Sequence, residues 1–342
     1  SAPVTRCAMT ISGLGPHGER AAPPERVTLL PEDKAAAKAR AFRVAVVLHT
    51  LESDWARQQL SGIVGVLGDC GTVVTHVIDC GFSPTEQVKA LDGLMAQKPD
   101  AVVSLPVANQ EVALAHARLA EAGIKLILLD NAPTGLLPGT HYGTLVSADN
   151  FGLGLIAAEG LSPHLPKGAQ VGLLGYAADF FATNEREIAF SQWMQTRRPD
   201  VTIRQEGFAR IEDAAPKTEA LLAAHPDLAG LFVVWDTPAL KSAEVLLRQK
   251  RPIPMATVDL GEQAAIGLAQ GAPFAVIAAQ QPYLQGVAAA QTTVLTLLGR
   301  LTPAWIALPG IVVTRENVVE SFQRIWRTPA PQSVLKAVGL IS

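Results

Sequence analysis

The sequence is short of charge, of cysteine and of long apolar runs. Only 17% of its 342 residues are charged and the formal net charge is -3, so there is no electrostatic footprint for nucleic acid or an anionic membrane surface. No uninterrupted apolar run reaches the length of a membrane-spanning helix, and direct membrane insertion is not expected. No secretory h-region is visible either, which is the expectation for a chain whose signal peptide has been removed. Three cysteines are too few for a disulfide framework or a structural zinc cluster. Cys70 and Cys80 flank "GTVVTHVID", which reads as a strand and would hold them roughly 30 Å apart, beyond disulfide reach. Any bridge has to join Cys7 to one of them; three reduced thiols is the alternative.

Catalytic signatures are missing as well. There is no G-x-S-x-G elbow, no HExxH and no GxxxxGK[ST] loop, so neither an enzyme nor a bound cofactor is expected. The seven histidines are scattered and suggest no metal site; His49 alone stands at a strand end. One motif does match a nucleotide-binding pattern: Gly13, Gly15 and Gly18 complete a G-x-G-x-x-G. It lacks a strand before it, and Pro23 and Pro24 break any helix after it, so it reads as a coincidence in an irregular leader.

What is present is apolar residue in quantity. Hydrophobic residues make up 49% of the chain, enough for two packed domains at this length. Residues 1–41, with prolines at 3, 16, 23, 24 and 31, read as an irregular extension in which "PEDKAAAKARA" adds a short helix. From Phe42 onward, short apolar strands alternate with amphipathic helices. "FRVAVVL", "TVVTHVI", "AVVSL" and "KLILL" are strands, separated by helices at 54–67, 84–97 and 109–122. After "GTLVSADN" the alternation repeats through the strands "QVGLL", "VTIRQE", "GLFVVW", "PMATVD" and "FAVIAAQ", ending in a helix over 283–298. Parallel sheets covered on both faces are the consequence, and two successive sheets mean two lobes of like build.

In open parallel sheets, ligands bind beyond the carboxyl ends of the strands. The segments found there are "HTLESDW", "DNAP", "GYAADFFATNER", "GFARIED", "DTPA", "DLGE" and "QQPY". They carry carboxylates, amides and aromatics without an excess of Lys or Arg. Such groups suit a neutral polyhydroxylated guest, each of whose hydroxyls needs a buried partner.

The order of "HTLESDW", "LLDN", "SADNFGLG", "TNEREIAF", "VVWDTPAL", "TVDLG" and "AAQQPYLQG" resembles the type I periplasmic solute-binding proteins of the ribose/galactose-binding group, the sugar-capturing subunits of ABC importers. The likeness spans roughly 42–326. It implies a type I periplasmic binding protein fold: α/β, two Rossmann-like lobes with doubly wound parallel sheets, joined by a three-strand hinge. One lobe is expected at 42–147 plus 281–308 and the other at 148–280 plus 309–327, with a Pro-rich tail over 328–342. The chain should cross between them near Ser147, Gln281 and Pro309.

Position by position, the resemblance implies a stacking Trp55 with Ser53 and Asp54 beside it, the acids Asp130 and Asp259, the aromatic Phe208 and the crossover amide Gln280. Asn131 and Asn184 stand where the family holds arginines, and Trp235 where it holds an asparagine; a less charged, more aromatic pocket follows. Phe181 joins the candidates as a ring at the lid, whereas Arg186 reads as a surface pairing partner of Asp179 or Glu187, and Asp236 as a helix cap. The function implied is capture of a neutral monosaccharide or sugar alcohol in the inter-lobe cleft by a periplasmic monomer, which delivers it by hinge closure to an ABC permease and its ATPase. Two other readings compete: the sensing core of a sugar-responsive repressor, which would need a helix-turn-helix, and a two-lobed enzyme, which would need a phosphate loop after a strand.

Overall fold

The computed structural model describes residues 10–342. Cys7 lies outside the described residues, and with it the expected bridge; Cys70 and Cys80 are both buried. After a leader come α1 (Pro31–Arg40), β1 (Arg43–Leu48), α2 (Asp54–Asp69), β2 (Val73–Asp79), α3 (Pro84–Gln97), β3 (Ala101–Ser104), α4 (Ala113–Glu121), β4 (Lys125–Leu129) and β5 (Leu145–Ala148). The second run is α5 (Asn150–Leu161), β6 (Gln170–Tyr176), α6 (Phe181–Arg197), β7 (Thr202–Phe208), α7 (Ala214–Ala224), β8 (Leu228–Val233), α8 (Asp236–Arg248), β9 (Met255–Val258), α9 (Glu262–Ala269) and β10 (Phe274–Ala279). The chain ends with α10 (Pro282–Leu297), β11 (Trp305–Leu308), β12 (Ile311–Val313), α11 (Val318–Trp326) and α12 (Gln332–Ala337).

Two six-stranded sheets result, ordered β2-β1-β3-β4-β5-β11 and β7-β6-β8-β9-β10-β12. The first is parallel throughout, and in the second only β12 runs antiparallel. The central strands are uninterrupted runs of buried Val, Leu, Ile and Ala because helices cover both faces. β5, β11 and β12 stand outside the strand–helix alternation, and pairing with a neighbour defines them. The chain passes from one sheet's lobe to the other between β5 and α5, between β10 and α10, and between β11 and β12. Gln281 Nε2 donates to the Pro309 carbonyl at 3.0 Å, tying the second passage to the third.

The leader is more ordered than its prolines imply. Ala22 pairs with the outer edge of β11, its N–H donating to the Trp305 carbonyl at 2.9 Å, and Val27 and Leu29 enter the core. Gly13, the first glycine of "GLGPHG", sits at the first passage, against Asp149 and Phe151. Asp149, the N-cap of α5, accepts from Gly152 N at 3.0 Å, and also from Ser12 N at 2.6 Å and Gly13 N at 3.1 Å. One carboxylate therefore caps a helix and fastens the leader across the hinge. Asp149→Ala is expected to cost about 2 kcal/mol, lowering Tm by ~3 °C in differential scanning fluorimetry; an unchanged Tm would show that the strap contributes nothing. At the other end, residues 328–342 contain the short helix α12, which packs on α9 through the buried Val334.

Candidate functional site

The two sheets point their carboxyl ends at one another, and the loops there enclose a cavity of about 550 Å³, within the range of small-molecule sites. Two switch points, β1/β3 and β6/β8, face across it, where strand order reverses and the loops diverge. From the first lobe come His49, Thr50 and Glu52 to Trp55 after β1 and Asp130 after β4; from the second come Tyr176 as the last residue of β6, Trp235 after β8 and Asp259 after β9. Hydrogen bonds between the lobes hold the cavity's margin. Phe181 N donates to Asn131 Oδ1 at 3.3 Å, and Gln58 Nε2 to the Trp326 carbonyl at 3.0 Å.

Of the residues singled out from sequence, Ser53, Asp54, Trp55, Asp130, Trp235, Asp259 and Gln280 line this cavity. Their duties differ. Ser53 caps α2, its Oγ accepting from Ala56 N at 3.1 Å. Asp54 is at the mouth, over half exposed and paired with Arg57 at 2.6 Å. Gln280 has both ends of its amide engaged: Nε2 donates to Asp259 Oδ1 at 2.7 Å, and Oε1 accepts from Gln285 Nε2 at 3.1 Å. It holds Asp259 in place.

Asn131, Phe181, Asn184 and Phe208 are not brought to the cavity wall. Asn131 is fully buried below it, its Nδ2 donating to Asn109 Oδ1 at 2.9 Å while Oδ1 takes the Phe181 amide. Asn184 donates to Asp179 Oδ1 at 2.6 Å outside. Phe208, also fully buried, supports the wall from behind, its ring 5.1 Å from Trp235 and 5.6 Å from Tyr176. At the lid it is Phe180, extended just before α6, that turns inward, and Phe181 opens the helix.

Arg186 was misjudged from sequence. It is buried, lines the cavity, and donates from Nε to Asn150 Oδ1 at 3.1 Å and from Nη1 to the Val234 carbonyl at 2.9 Å. Its place one turn into α6 was legible; the depth of α6 in the cleft was not. Asp236 also lines the cavity, its Oδ2 accepting from Gly261 N at 2.9 Å. His49, Tyr176 and Trp326 complete the wall; Trp326 comes from α11, far along the chain.

Asp130 and Asp259 both adopt left-handed backbone conformations, with φ of 61° and 76°. A non-glycine residue stays there at some energetic cost, and Asp tolerates it better than most. That two such residues end equivalent strands and face one cavity marks a constraint beyond folding. Burial, with Asp259 nearby, pushes the Asp130 carboxyl up to about 7 against the opposing pull of Arg186. Asp259 is raised by burial, and Asp236 is raised to about 7 by burial and by Asp259. His49, edge-on to Trp55 at 5.6 Å and to Phe82 at 5.2 Å, is lowered by burial to about 4 and is neutral at pH 7.

Three buried polar atoms of this wall have no hydrogen-bond partner: Asp130 Oδ1, Trp55 Nε1 and His49 Nδ1. The first accepts, the second donates, and the third does whichever its tautomer allows. Such groups cost free energy unless something bonds them. Among the described residues, no three His, Cys, Asp or Glu side chains are grouped to hold a metal ion.

Residues 44–301 match the periplasmic binding protein domain family. The chain is 26% identical over 269 residues to the ribose import binding protein of Bacillus subtilis, covering 78% of this chain and 86% of that one. Two solute-binding proteins of ABC transporters from Agrobacterium vitis share the fold. One, bound to α-D-tagatopyranose, has a TM-score of 0.76 at 23% identity, over 85% of this chain and 99% of its own. The other, with bound allitol, has a TM-score of 0.74 at 22% identity, over 83% and 98%. With three quarters of its length matched and its cleft built from the strand ends of two like sheets, the chain belongs to the periplasmic binding protein family, whose members bind solutes for transport rather than transform them.

Proposed function

We propose that the protein is the solute-binding subunit of an ABC importer and that its guest is hydroxyl-rich and of monosaccharide size. The observation that carries this is the set of unpartnered buried atoms, donor and acceptor together, on a wall that also carries the rings of Trp55, Tyr176 and Trp235. A hydroxyl both donates and accepts, so a polyol satisfies Asp130 and Trp55 in turn while its C–H faces lie on Trp55, Tyr176 and Trp235. The relatives named above, one a ribose import binding protein and two with tagatopyranose or allitol bound, support the same class. The protein would work as a monomer outside the cytoplasmic membrane and hand its guest to a permease and its ATPase. Closure would be driven by contacts the guest makes to both lobes at once.

Screening pentoses, hexoses and alditols by thermal shift tests this. A ligand at 100 times its Kd contributes about 2.7 kcal/mol, or about 4 °C for a chain of this size. If no polyol moves Tm, the reading fails. For the bound guest, Trp55→Phe keeps an aromatic face but removes the indole N–H, and is expected to weaken affinity about tenfold by calorimetry. Unchanged affinity would remove Trp55 Nε1 from the site.

A further inference from the structure

Charge around the cavity does not balance. Its inner wall presents three carboxylates, Asp130, Asp236 and Asp259, against one guanidinium, Arg186. That guanidinium already donates to Asn150 and to the Val234 carbonyl, and among the described residues it forms no ion pair with any of the three acids. Protein donors are unevenly shared: Gln280 serves Asp259, and the Gly261 and Thr237 amides serve Asp236, while Asp130 Oδ1, in a residue only 7% exposed, receives none. The mouth repeats the imbalance, with Glu52, Asp54 and Glu262 against Arg57, which is paired to Asp54.

We propose that the guest carries a protonated amine in addition to its hydroxyls, an aminated sugar or amino-alditol, with the ammonium held at Asp130 between the inner carboxylates. This rests on the polyol reading above and narrows it. An ammonium offers only donors, which matches a wall that has acceptors to spare. The rings of Trp55, Tyr176 and Trp235 add faces that attract a cation. A guest without charge leaves the buried acids uncompensated: burial first, and the neighbouring Asp259 second, hold Asp130 and Asp236 above the usual carboxylate range. His49 is neutral and adds no compensating charge. A metal ion does not replace the amine, because the described acids are not grouped to ligate one.

The test uses matched pairs on the intact chain: D-glucitol with 1-amino-1-deoxy-D-glucitol, galactitol with its 1-amino counterpart, and D-glucose and D-galactose with their 2-amino-2-deoxy forms. Calorimetry at about pH 8 should find the amine of at least one pair bound about tenfold more tightly, the margin of a charge-assisted over a neutral hydrogen bond. The preference should shrink toward about pH 5 as the carboxylates protonate. Asp130→Asn, which keeps shape and tolerates the left-handed backbone, should weaken the amine more than its neutral partner, and Asp259→Asn should do so if the first variant folds poorly. If neutral members bind equally or better in every pair that binds, the amine is overturned and the polyol reading stands. If the preference survives both variants, the placement at Asp130 is overturned. If no pair binds and the wider polyol screen is also silent, the polyol reading itself falls.

Discussion

Asp130→Asn is expected to shrink the ligand-induced thermal shift and, at the same time, to raise the Tm of the ligand-free protein at about pH 8. The two effects have one cause. Asp130 is buried with an unpartnered carboxylate oxygen, which is what a ligand needs and what a folded chain without one tolerates at a cost. Its pKa is raised from 3.8 to about 7 in the folded state, so between those values the folded chain holds a proton that the unfolded chain has released. Stability contributed by that proton is complete below about pH 4 and lost as pH rises through about 7. The full loss is on the order of 4 kcal/mol.

An amide at this position has nothing to ionise. The Tm of Asp130→Asn minus that of the wild type should therefore grow between about pH 5 and pH 8, reaching as much as ~6 °C. The wild-type profile alone is not diagnostic. His49 and the fully buried His116 both have pKa values lowered to about 4, and their contributions rise with pH from about 4 to 6.5, against the aspartates. Only the difference between variant and wild type isolates Asp130. A pH-independent difference would show that the carboxyl is not stressed, and an intact ligand response would remove it from the site.

Gly286→Ala is expected to be the most damaging small substitution in the first lobe. A Cβ there would lie within 2.0 Å of the Gln59 carbonyl oxygen, and one at Gly62 within 2.2 Å of the Tyr283 carbonyl oxygen. These two glycines let the backbones of α2 and α10 touch, and backbone cannot swing aside as a side chain can. Forcing the helices apart should cost about 3 kcal/mol and lower Tm by ~4 °C. Ligand affinity should fall with it, because α2 carries the Ser53–Trp55 wall and α10 carries Gln285, which steadies Gln280 and through it Asp259. Gly65→Ala and Gly68→Ala, on α2 with Gly62 but with open space around them, are the controls and should gain up to ~1 kcal/mol of helix propensity. If Gly286→Ala melts with them, the close crossing is not a determinant of stability.

The structure also explains why some side chains were legible and others were not. Trp55, Asp130 and Asp259 follow directly after strands, and a parallel sheet delivers whatever follows its strands to the same edge. Phe208 also ends a strand, but β7 is an edge strand and its terminal ring turns beneath Trp235 and Tyr176, so its position along the chain misled. Asn131 was misread for a related reason: the residue beside a left-handed Asp130 is turned away from the cavity. Arg186 and Trp326 reach the site from helices, where no strand-end rule applies, and only the approach of the two lobes brings them there.

The alternation of buried strands with amphipathic helices, the two like sheets and the strand ends where a guest would lie all followed from local periodicity, because burial on both faces of a parallel sheet imposes uninterrupted apolar runs. Tertiary packing alone decided which polar atoms are left unsatisfied in the cleft, where charge fails to balance, and that the leader fastens to Asp149. Those outcomes depend on distances between segments far apart in the chain, and such distances leave no periodic trace in a sequence.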